Sequence, residues 1–149
     1  MTDARSKPKE APQAVREIIR RAGHEIRNAL NGVAVNVEVV RSRSGREGSA
    51  KDLASFADHA SAQIREASVL ADGLLAFVNA VLEAQSSGTL KTSGRGGEAR
   101  IELMIYGDPA AGLVSDIERL ASRIGVGVEE HDHRVILRIL PEGKSYSKA

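Results

Sequence analysis

Apolar residues recur at alternating steps of three and four along two long segments, the spacing of amphipathic helices that pack along a seam. The first seam consists of Val15, Ile19, Ala22, Ile26, Ala29, Val33, Asn36 and Val40. The second consists of Leu53, Ala57, Ala60, Ile64, Ala67, Ala71, Leu74, Val78 and Val81. The pattern predicts two helices, each about 45–55 Å long at a rise of about 1.5 Å per residue.

Glycine and proline mark the ends of both predicted helices. Pro12 is tolerated in a first helical turn, because its missing N–H would have no helical partner there. Gly45 ends the first helix and Gly88 the second, since glycine adopts the left-handed conformation at little steric cost. Ser49 followed by Asp52 resembles a capping box at the start of the second helix.

The apolar stripe on each helix is wider than contact with one other helix would cover. Further apolar positions flank the seams, namely Ile18, Leu30, Val37, Phe56, Leu70 and Phe77. Dimerisation of two hairpins into a four-helix bundle would bury this surface. The alternative arrangement is a monomer in which the C-terminal part of the chain covers the exposed face.

The periodicity changes after the second helix. The stretch from Ser86 to Ala99 is rich in Gly, Ser and Thr, which predicts a flexible linker. Beyond it, apolar residues alternate with other side chains at Ile101, Leu103 and Ile105, the pattern of a short strand with one buried face.

A helix and two strands follow. Asp108-Pro109 predicts a helix start, with aspartate as the cap and proline at the first position. Gly125 ends that helix, and two strands follow, joined by a polar turn near His131–His133.

The sequence therefore predicts a mainly α fold with a small α+β cap. A long antiparallel helical hairpin forms a four-helix bundle by homodimerisation, and a β-α-β-β unit follows it. The predicted segments are a disordered N-terminus at 1–11, the hairpin at 12–87, a linker at 88–99, the α+β unit at 100–141 and a flexible tail at 142–149.

Composition excludes several classes of function. The chain of 149 residues carries 21 basic and 20 acidic side chains, a balance that argues against general nucleic-acid binding. It contains no cysteine, so it forms neither disulfides nor thiolate metal sites, as is common in a reducing cytoplasm. No uninterrupted apolar run approaches the ~20 residues that cross a bilayer. We therefore expect a cytoplasmic protein without a nucleic-acid or membrane partner.

His24 stands beside an acid in the stretch GHEIRNALNG of the first helix. A rotation of about 100° per residue puts it about 200° from both Ala22 and Ile26, and hence on the solvent side. The residues one and two turns away on that side are polar, namely Glu17, Arg20, Arg21, Arg27, Asn28 and Asn31. A solvated surface histidine without a reaction to perform is the simplest explanation of such a residue, and a reactive histidine is the alternative.

The chemistry of an exposed imidazole supports the reactive alternative. A neutral imidazole with a pKa near ~6.5 is a competent nucleophile at neutral pH, and a partner protein can reach it on a helix surface. Glu25 could accept a hydrogen bond from the second ring nitrogen and so fix the tautomer. Arg20, Arg21 and Arg27 would provide a positive surround for phosphoryl oxygens, which Glu17 dilutes at one end.

The sequence His-Glu-Ile-Arg-Asn-Ala-Leu, from His24 to Leu30, resembles the H box of the dimerisation and phosphoacceptor domain of histidine kinases. The resemblance extends from Pro12 to Ser86, although Ala29 stands where many members carry proline. It implies that His24 accepts a phosphoryl group, that Glu25 acts as a base and that Asn28 positions water during dephosphorylation of a partner. The residues expected to contact a receiver domain are Arg20, Arg21, Arg27 and Asn31.

The segment from Ala111 to Pro141 loosely resembles the end of the ATPase domain of such kinases. The Asn-rich box and the Asp-x-Gly-x-Gly loop that hold magnesium and adenine in that family do not occur in this sequence, and the roughly 50 residues after the linker are too few for a full nucleotide-binding domain. The resemblance therefore implies a phosphorelay histidine phosphotransferase with a degenerate ATPase-like unit and no cofactor in this chain. Mg²⁺ is expected in the partner receiver domain.

Three functions remain open from the sequence. The first is phosphotransfer between His24 and response-regulator aspartates. The second is a non-catalytic dimeric module that sequesters a response regulator or inhibits a histidine kinase, and the third is a diverged kinase whose partner supplies the nucleotide domain. His131 and His133 are interpreted as a polar turn, because a His-x-His metal site would need a third ligand at suitable spacing.

Overall fold

A computed structural model of the chain describes residues 10–46, 50–95, 97–104 and 112–140. The elements are α1 (Glu10–Arg43), α2 (Ala50–Ser86), β1 (Lys91–Arg95), β2 (Glu98–Met104), α3 (Leu113–Ile124), β3 (Val126–His131) and β4 (Arg134–Ile139). The fold is mainly helical with one small antiparallel sheet, as the sequence predicts. The predicted N-terminal disorder up to residue 9, the Ser49 cap, the Asp108-Pro109 helix start and the tail at 142–149 lie outside the described residues.

The helical hairpin is confirmed with nearly the predicted bounds. Helix α1 begins at Glu10, inside the segment predicted to be disordered, and is followed by Gly45 with φ 90°. Helix α2 ends at Ser86 before Gly88, whose φ is 71°. Inside the hairpin, the Asn36 amide donates hydrogen bonds to the carbonyl oxygen of Gly32 at 3.0 Å and to Gln63 Oε1 at 2.8 Å. The polar interruption of the first seam is therefore satisfied by a partner on α2.

The sheet has four antiparallel strands in the order β1-β2-β4-β3. The central strands pair with Ile101 opposite Leu137 and Leu103 opposite Val135. These four side chains are at most 2% exposed and lie on the face that packs against the helices. The predicted alternation is confirmed for Ile101 and Leu103, whereas Ile105 lies outside the described residues. The polar turn between β3 and β4 is confirmed, and Gly125 ends α3 with φ 69°.

The flexible linker expected at 88–99 is wrong for most of its length. Lys91 to Arg95 form β1, which pairs with β2 from Lys91 opposite Glu102 to Arg95 opposite Glu98, and Gly97 turns the chain with φ 84°. An edge strand is held by main-chain hydrogen bonds on one side, so its side chains need no apolar pattern, and its polar composition resembles that of a loop. The C-terminal unit, residues 91–140, is therefore β-β-α-β-β.

The hairpin and the C-terminal unit share one hydrophobic core. Ile18, Leu70 and Phe77 of the helices are at most 1% exposed and belong to the same buried cluster as Ile101 and Ile117 of the C-terminal unit. The C-terminal unit thus covers one side of the hairpin at the end where the first half of α1 lies beside the second half of α2. For this end of the hairpin, the arrangement is the monomeric alternative considered from the sequence.

The opposite side of the hairpin is uncovered and apolar. Its large side chains are 40–62% exposed: Ile19, Leu30, Val37, Ile64, Leu75 and Leu82. On each helix the three residues are spaced by 11 and then 7 positions, so they lie within about 20° of one another.

This row faces away from the C-terminal unit on both helices. Leu30 is nine residues from Arg21, and Leu82 is nine residues from Gly73. Arg21 and Gly73 both contact the C-terminal unit, and nine residues correspond to about 180° of helical rotation. The two rows therefore form one surface, which we call the free face.

Within the described residues, α2 is long and apolar enough to cross a membrane by length and composition, with a mean hydropathy of 1.5 over 18 residues. In this fold 44% of that window is buried. The core helix of a soluble protein meets the same criterion, so this property does not locate the protein in the cell.

Candidate functional site around His24

His24 lies on the exposed side of α1, as predicted. The buried residues of this part of the helix, Ala14, Ile18 and Ala22, point toward α2 and the C-terminal unit. No hydrogen bond or ion pair engages the imidazole among the described residues. The ring is therefore open to a partner from the solvent side.

Three further exposed residues continue the line of His24 along α1: Asn28, Asn31 and Val35. They follow the histidine by 4, 7 and 11 residues, which places all of them within about 40° of it and over a length of about 16 Å. We call these four residues the His24 face. Val35 is 64% exposed and was not identified from the sequence, because it lies outside both apolar seams. The sequence feature that could have identified Val35 is an apolar residue three turns from His24 on an otherwise polar side of the helix.

Glu25 is half-buried and makes no hydrogen bond to His24 in the described part of the chain. Adjacent residues on a helix diverge by about 100°, so their side chains do not face each other. The expected contact between the carboxylate and the second ring nitrogen would require Glu25 to change rotamer.

Arg20 lies one turn before His24 but is paired with Glu17. Its Nε and Nη2 donate to the two carboxylate oxygens at 3.1 and 2.9 Å, and the Arg21 Nε donates to the same carboxylate at 2.8 Å. Hydrogen bonds from Arg20 and then Arg21 lower the pKa of Glu17 from 4.5 to about 2. Glu17 is therefore ionised and neutralises part of the positive surround predicted for His24.

Arg21 is turned away from solvent. Its side chain is 12% exposed, and its guanidinium donates to the carbonyl oxygens of Ile124 at 3.2 Å and Leu140 at 2.8 Å. Ile124 is the last residue of α3, where carbonyls have no partner within the helix. The structure assigns Arg21 to the contact between α1 and the C-terminal unit rather than to the partner-binding surface expected from the sequence.

Arg27 is the predicted cation that remains most available beside His24. It is exposed, and it follows the histidine by three residues, about 60° around the helix. Leu30, on the free face, lies about 120° from His24 by the same rotation. A protein bound to the free face therefore leaves His24 and Asn28 accessible, and Arg27, about 60° from both His24 and Leu30, lies at the border between the two surfaces.

His131 and His133 occupy an exposed turn at the far end of β3 and β4, as interpreted from the sequence. The His131 Nε2 lies 3.7 Å from the nearest carboxylate oxygen of Glu129. Among the described residues, no group of three or more His, Cys, Asp or Glu side chains could hold a metal ion.

A cavity of about 390 Å³ lies between the first turns of α1 and the β1–β2 hairpin. Its walls are formed by Gln13, Ala14, Glu17, Thr92, Ser93, Gly94, Ala99 and Ile139. Sequence reasoning missed the cavity because β1 was not predicted. Its one charged group among these walls, Glu17, is already bound by two arginines.

The geometry therefore groups His24, Asn28, Asn31 and Arg27 on one exposed surface, keeps Arg20 at its edge and removes Arg21 from it. No protein-family model, curated protein or solved structure matches the chain.

Proposed function

We propose that this protein is a phosphorelay histidine phosphotransfer protein of a two-component signalling system. It carries a phosphoryl group on His24 to or from aspartates of response-regulator receiver domains, without binding ATP. The observation that carries the proposal is an exposed imidazole on a long hairpin helix, within a sequence that resembles the H box and with no competing contact among the described residues.

The reaction is an exchange of one bond to phosphorus. The unprotonated nitrogen of neutral His24 attacks the phosphorus of a receiver aspartyl phosphate, a P–N bond forms, and the bond from phosphorus to the aspartate oxygen breaks. The carboxylate leaves with the electron pair, and the second ring nitrogen releases its proton. The reverse sequence returns the phosphoryl group to the receiver. The nucleophile needs no activation beyond the neutral imidazole.

The neighbouring residues have distinct roles in this proposal. Arg27, with a contribution from Arg20, attracts the phosphoryl oxygens and the acidic pocket of the receiver. Glu25, after a change of rotamer, accepts the proton released by the ring, and Asn28 positions water when the receiver is dephosphorylated. Mg²⁺ belongs to the receiver domain.

A homodimer is part of the proposal. Two free faces packed together would complete a four-helix bundle and remove six large, half-exposed apolar side chains per chain from water. A two-fold axis brings the same surface of each copy together, which suits a row with the same 11- and 7-residue spacing on both helices. His24 points about 120° away from Leu30 and stays accessible in such a dimer.

Transfer of a phosphoryl label tests the proposal. Purified protein is incubated with phosphorylated receiver domains, and separately with phosphoramidate, which phosphorylates histidines directly. We expect an acid-labile label on the wild-type chain that is lost in His24→Gln. The matched control is His59→Gln, because His59 is also an exposed histidine on a long helix. A receiver-derived label that persists in His24→Gln, or failure of every receiver from the same genome to transfer, would contradict the proposal.

The free face supports a second candidate, a non-catalytic dimeric module that sequesters a response regulator or inhibits a histidine kinase. An apolar surface of this extent on a folded chain marks an interaction site, whatever happens at His24. For this function, His24→Gln would leave the biological effect unchanged, and Ile64→Asp would remove it. Phosphotransfer predicts that His24→Gln alone removes the effect.

A further inference from the structure

A polar contact three residues before His24 joins α1 to the C-terminal unit. Arg21 donates through all three of its guanidinium nitrogens: to Glu17, to the carbonyl oxygen of Ile124 and to that of Leu140. The two carbonyls end α3 and follow β4, so one side chain joins two elements of the C-terminal unit. Hydrogen bonds from a charged donor are among the strongest in proteins. The Arg21 side chain is only 12% exposed, so water competes little for these bonds.

The C-terminal unit is also fixed to α2. A Cβ at Gly73 would lie 2.6 Å from the Leu120 Cβ and 2.7 Å from the Asp116 carbonyl oxygen, so α2 and α3 are in direct backbone contact. Arg123 of α3 binds Glu66 of α2 through two atoms at 3.0 Å. With a shared core below these contacts, the unit cannot rotate away without exposing buried apolar surface.

The fixed unit lies within reach of any protein that docks on His24. Arg21 precedes the histidine by three residues, a spacing at which Cβ atoms are about 5–6 Å apart. A receiver-sized domain of about 120 residues has a radius of gyration near ~14 Å. A partner centred on His24 therefore extends beyond Arg21 and reaches the edge of the C-terminal unit where Arg21 binds the carbonyl oxygens of Ile124 and Leu140.

We infer that the C-terminal unit is a rigid part of the receiver-docking surface and that Arg21 is the positioning residue that holds it beside His24. The unit then discriminates between receiver domains by shape, accepting those whose surface fits both α1 and its own edge. This inference rests on the proposed phosphotransfer function and gives the C-terminal unit a role that requires no nucleotide.

Arg21→Met tests the inference, because methionine keeps the apolar stem and removes every donor. We expect phosphoramidate to label His24 within about twofold of wild type, since this reaction involves no docking. Amide hydrogen exchange at residues 121–126 and 137–140 should accelerate at least about tenfold. Across a panel of receivers, the spread of KM values should narrow at least about fivefold, with kcat for the best receiver preserved.

Arg65→Met is the control, since Arg65 is an exposed arginine on the outer side of α2. It should leave all three measurements unchanged. Arg21→Lys keeps the charge but loses the planar fork that reaches two carbonyls, and is expected to shift exchange and selectivity in the same direction by a smaller factor.

An unchanged receiver ranking despite faster exchange in Arg21→Met would overturn the docking role, and unchanged exchange would overturn the positioning role. If neither phosphoramidate nor any receiver labels wild-type His24, the proposed function is refuted. The inferred discrimination between receivers is then refuted as well. The exchange data would then still decide whether Arg21 holds the unit in place.

Discussion

One carboxylate organises the charges that precede the His24 face of α1. Glu17 accepts hydrogen bonds from Arg20 and Arg21, and the pair of arginines lowers its pKa to about 2. Without Glu17, the positive charges of both guanidinium groups would be uncompensated by this carboxylate within two turns of His24. The carboxylate therefore limits the positive potential there and orients Arg21 toward the C-terminal unit.

The lowered pKa of Glu17 predicts a pH-dependent contribution to stability. Since the folded-state pKa lies below the ordinary value of 4.5, the contribution is present above about pH 5 and is lost as the pH falls toward 2. Glu17→Gln should lower the free energy of unfolding by at most about 1 kcal/mol near pH 7, because the side chain is 33% exposed, and by nothing measurable near pH 2. Urea denaturation across this pH range measures the difference.

Glu38→Gln is the control for this measurement, because Glu38 is 69% exposed and lies 3.9 Å from Arg41. We expect no pH-dependent difference from wild type for this variant. A constant effect of Glu17→Gln at every pH would contradict the assigned pKa.

Helical rotation was sufficient to predict from sequence that His24 is exposed, since only neighbours within two turns matter for that result. The same rule placed Arg21 on the partner surface, and this was not supported. The acceptors of Arg21 lie 103 and 119 positions away in the chain, so no local pattern could indicate them. The direction of a long, flexible arginine side chain depends on where its acceptors lie in the fold as well as on its position around the helix.

At the scale of elements, the contact between α2 and α3 depends on one missing side chain. A Cβ at Gly73 would come within 2.7 Å of a backbone oxygen of α3, whereas a Cβ at Gly23 of α1 would meet nothing within 4 Å. Both glycines are in helices, where alanine is normally favoured by roughly 0.5–1 kcal/mol.

The two glycines therefore predict opposite effects of the same substitution. Gly73→Ala should destabilise the fold by about 1–3 kcal/mol, because α3 has to move away from α2. Gly23→Ala should stabilise it by about 0.4–1 kcal/mol. Thermal and chemical denaturation of both variants measure these changes, and a stabilising Gly73→Ala would show that the helices do not approach as closely as described.

A helix or strand could be predicted from the sequence where its apolar residues recur with a regular period. Both long helices, α3 and the buried strand β2 followed from periodicity, because each buries one face. The edge strand β1 was missed, since its residues pair through the backbone and bury little. The seam on α1 was also displaced: Ile18 is 1% exposed and Ile19 is 40% exposed, because the C-terminal unit packs on a side that the hairpin alone would leave open.

At the scale of the whole molecule, the shared core predicts that hairpin and sheet unfold together. Leu103→Ala, at a fully buried position near the end of β2, should lower the free energy of unfolding by about 2–5 kcal/mol. Because the same cluster includes Leu70 and Phe77, amide exchange in the second half of α2 should accelerate as much as in the sheet. Faster exchange confined to the sheet would contradict a single cooperative unit.

The free face predicts the oligomeric state. Wild type should be a dimer in analytical ultracentrifugation, and the double variant Ile64→Asp with Leu75→Asp should be a monomer with unchanged helix content. Both side chains are at least half exposed within one chain, so the substitutions do not disturb its core. Two buried aspartates at the interface would disfavour association strongly.

Val35→Asp is the matched control, because Val35 is the most exposed of the large apolar residues but lies on the His24 face. It should remain dimeric. Dissociation of Val35→Asp, or a persistent dimer of the double variant, would show that the copies associate through another surface.

The wide apolar stripes on both long helices predicted from the sequence that the hairpin buries more surface than its two helices can cover. They did not indicate which part of the protein covers that surface. In the folded chain the C-terminal unit covers one side of the hairpin at one end, and the free face remains uncovered. This arrangement depends on contacts between segments far apart in the chain, such as those of Arg21 with Ile124 and Leu140, which local periodicity cannot indicate.

The packing of α1 and β4 residues into one buried cluster also has a consequence for folding during synthesis. Ile18 leaves the ribosome long before Ile139, yet both belong to one buried cluster. At about 5–20 residues per second, roughly 6–24 s of synthesis separate them. During that interval the nascent hairpin exposes an apolar surface that no residue synthesised so far can cover, and a product that terminates before β4 is expected to be a substrate of chaperones and proteases.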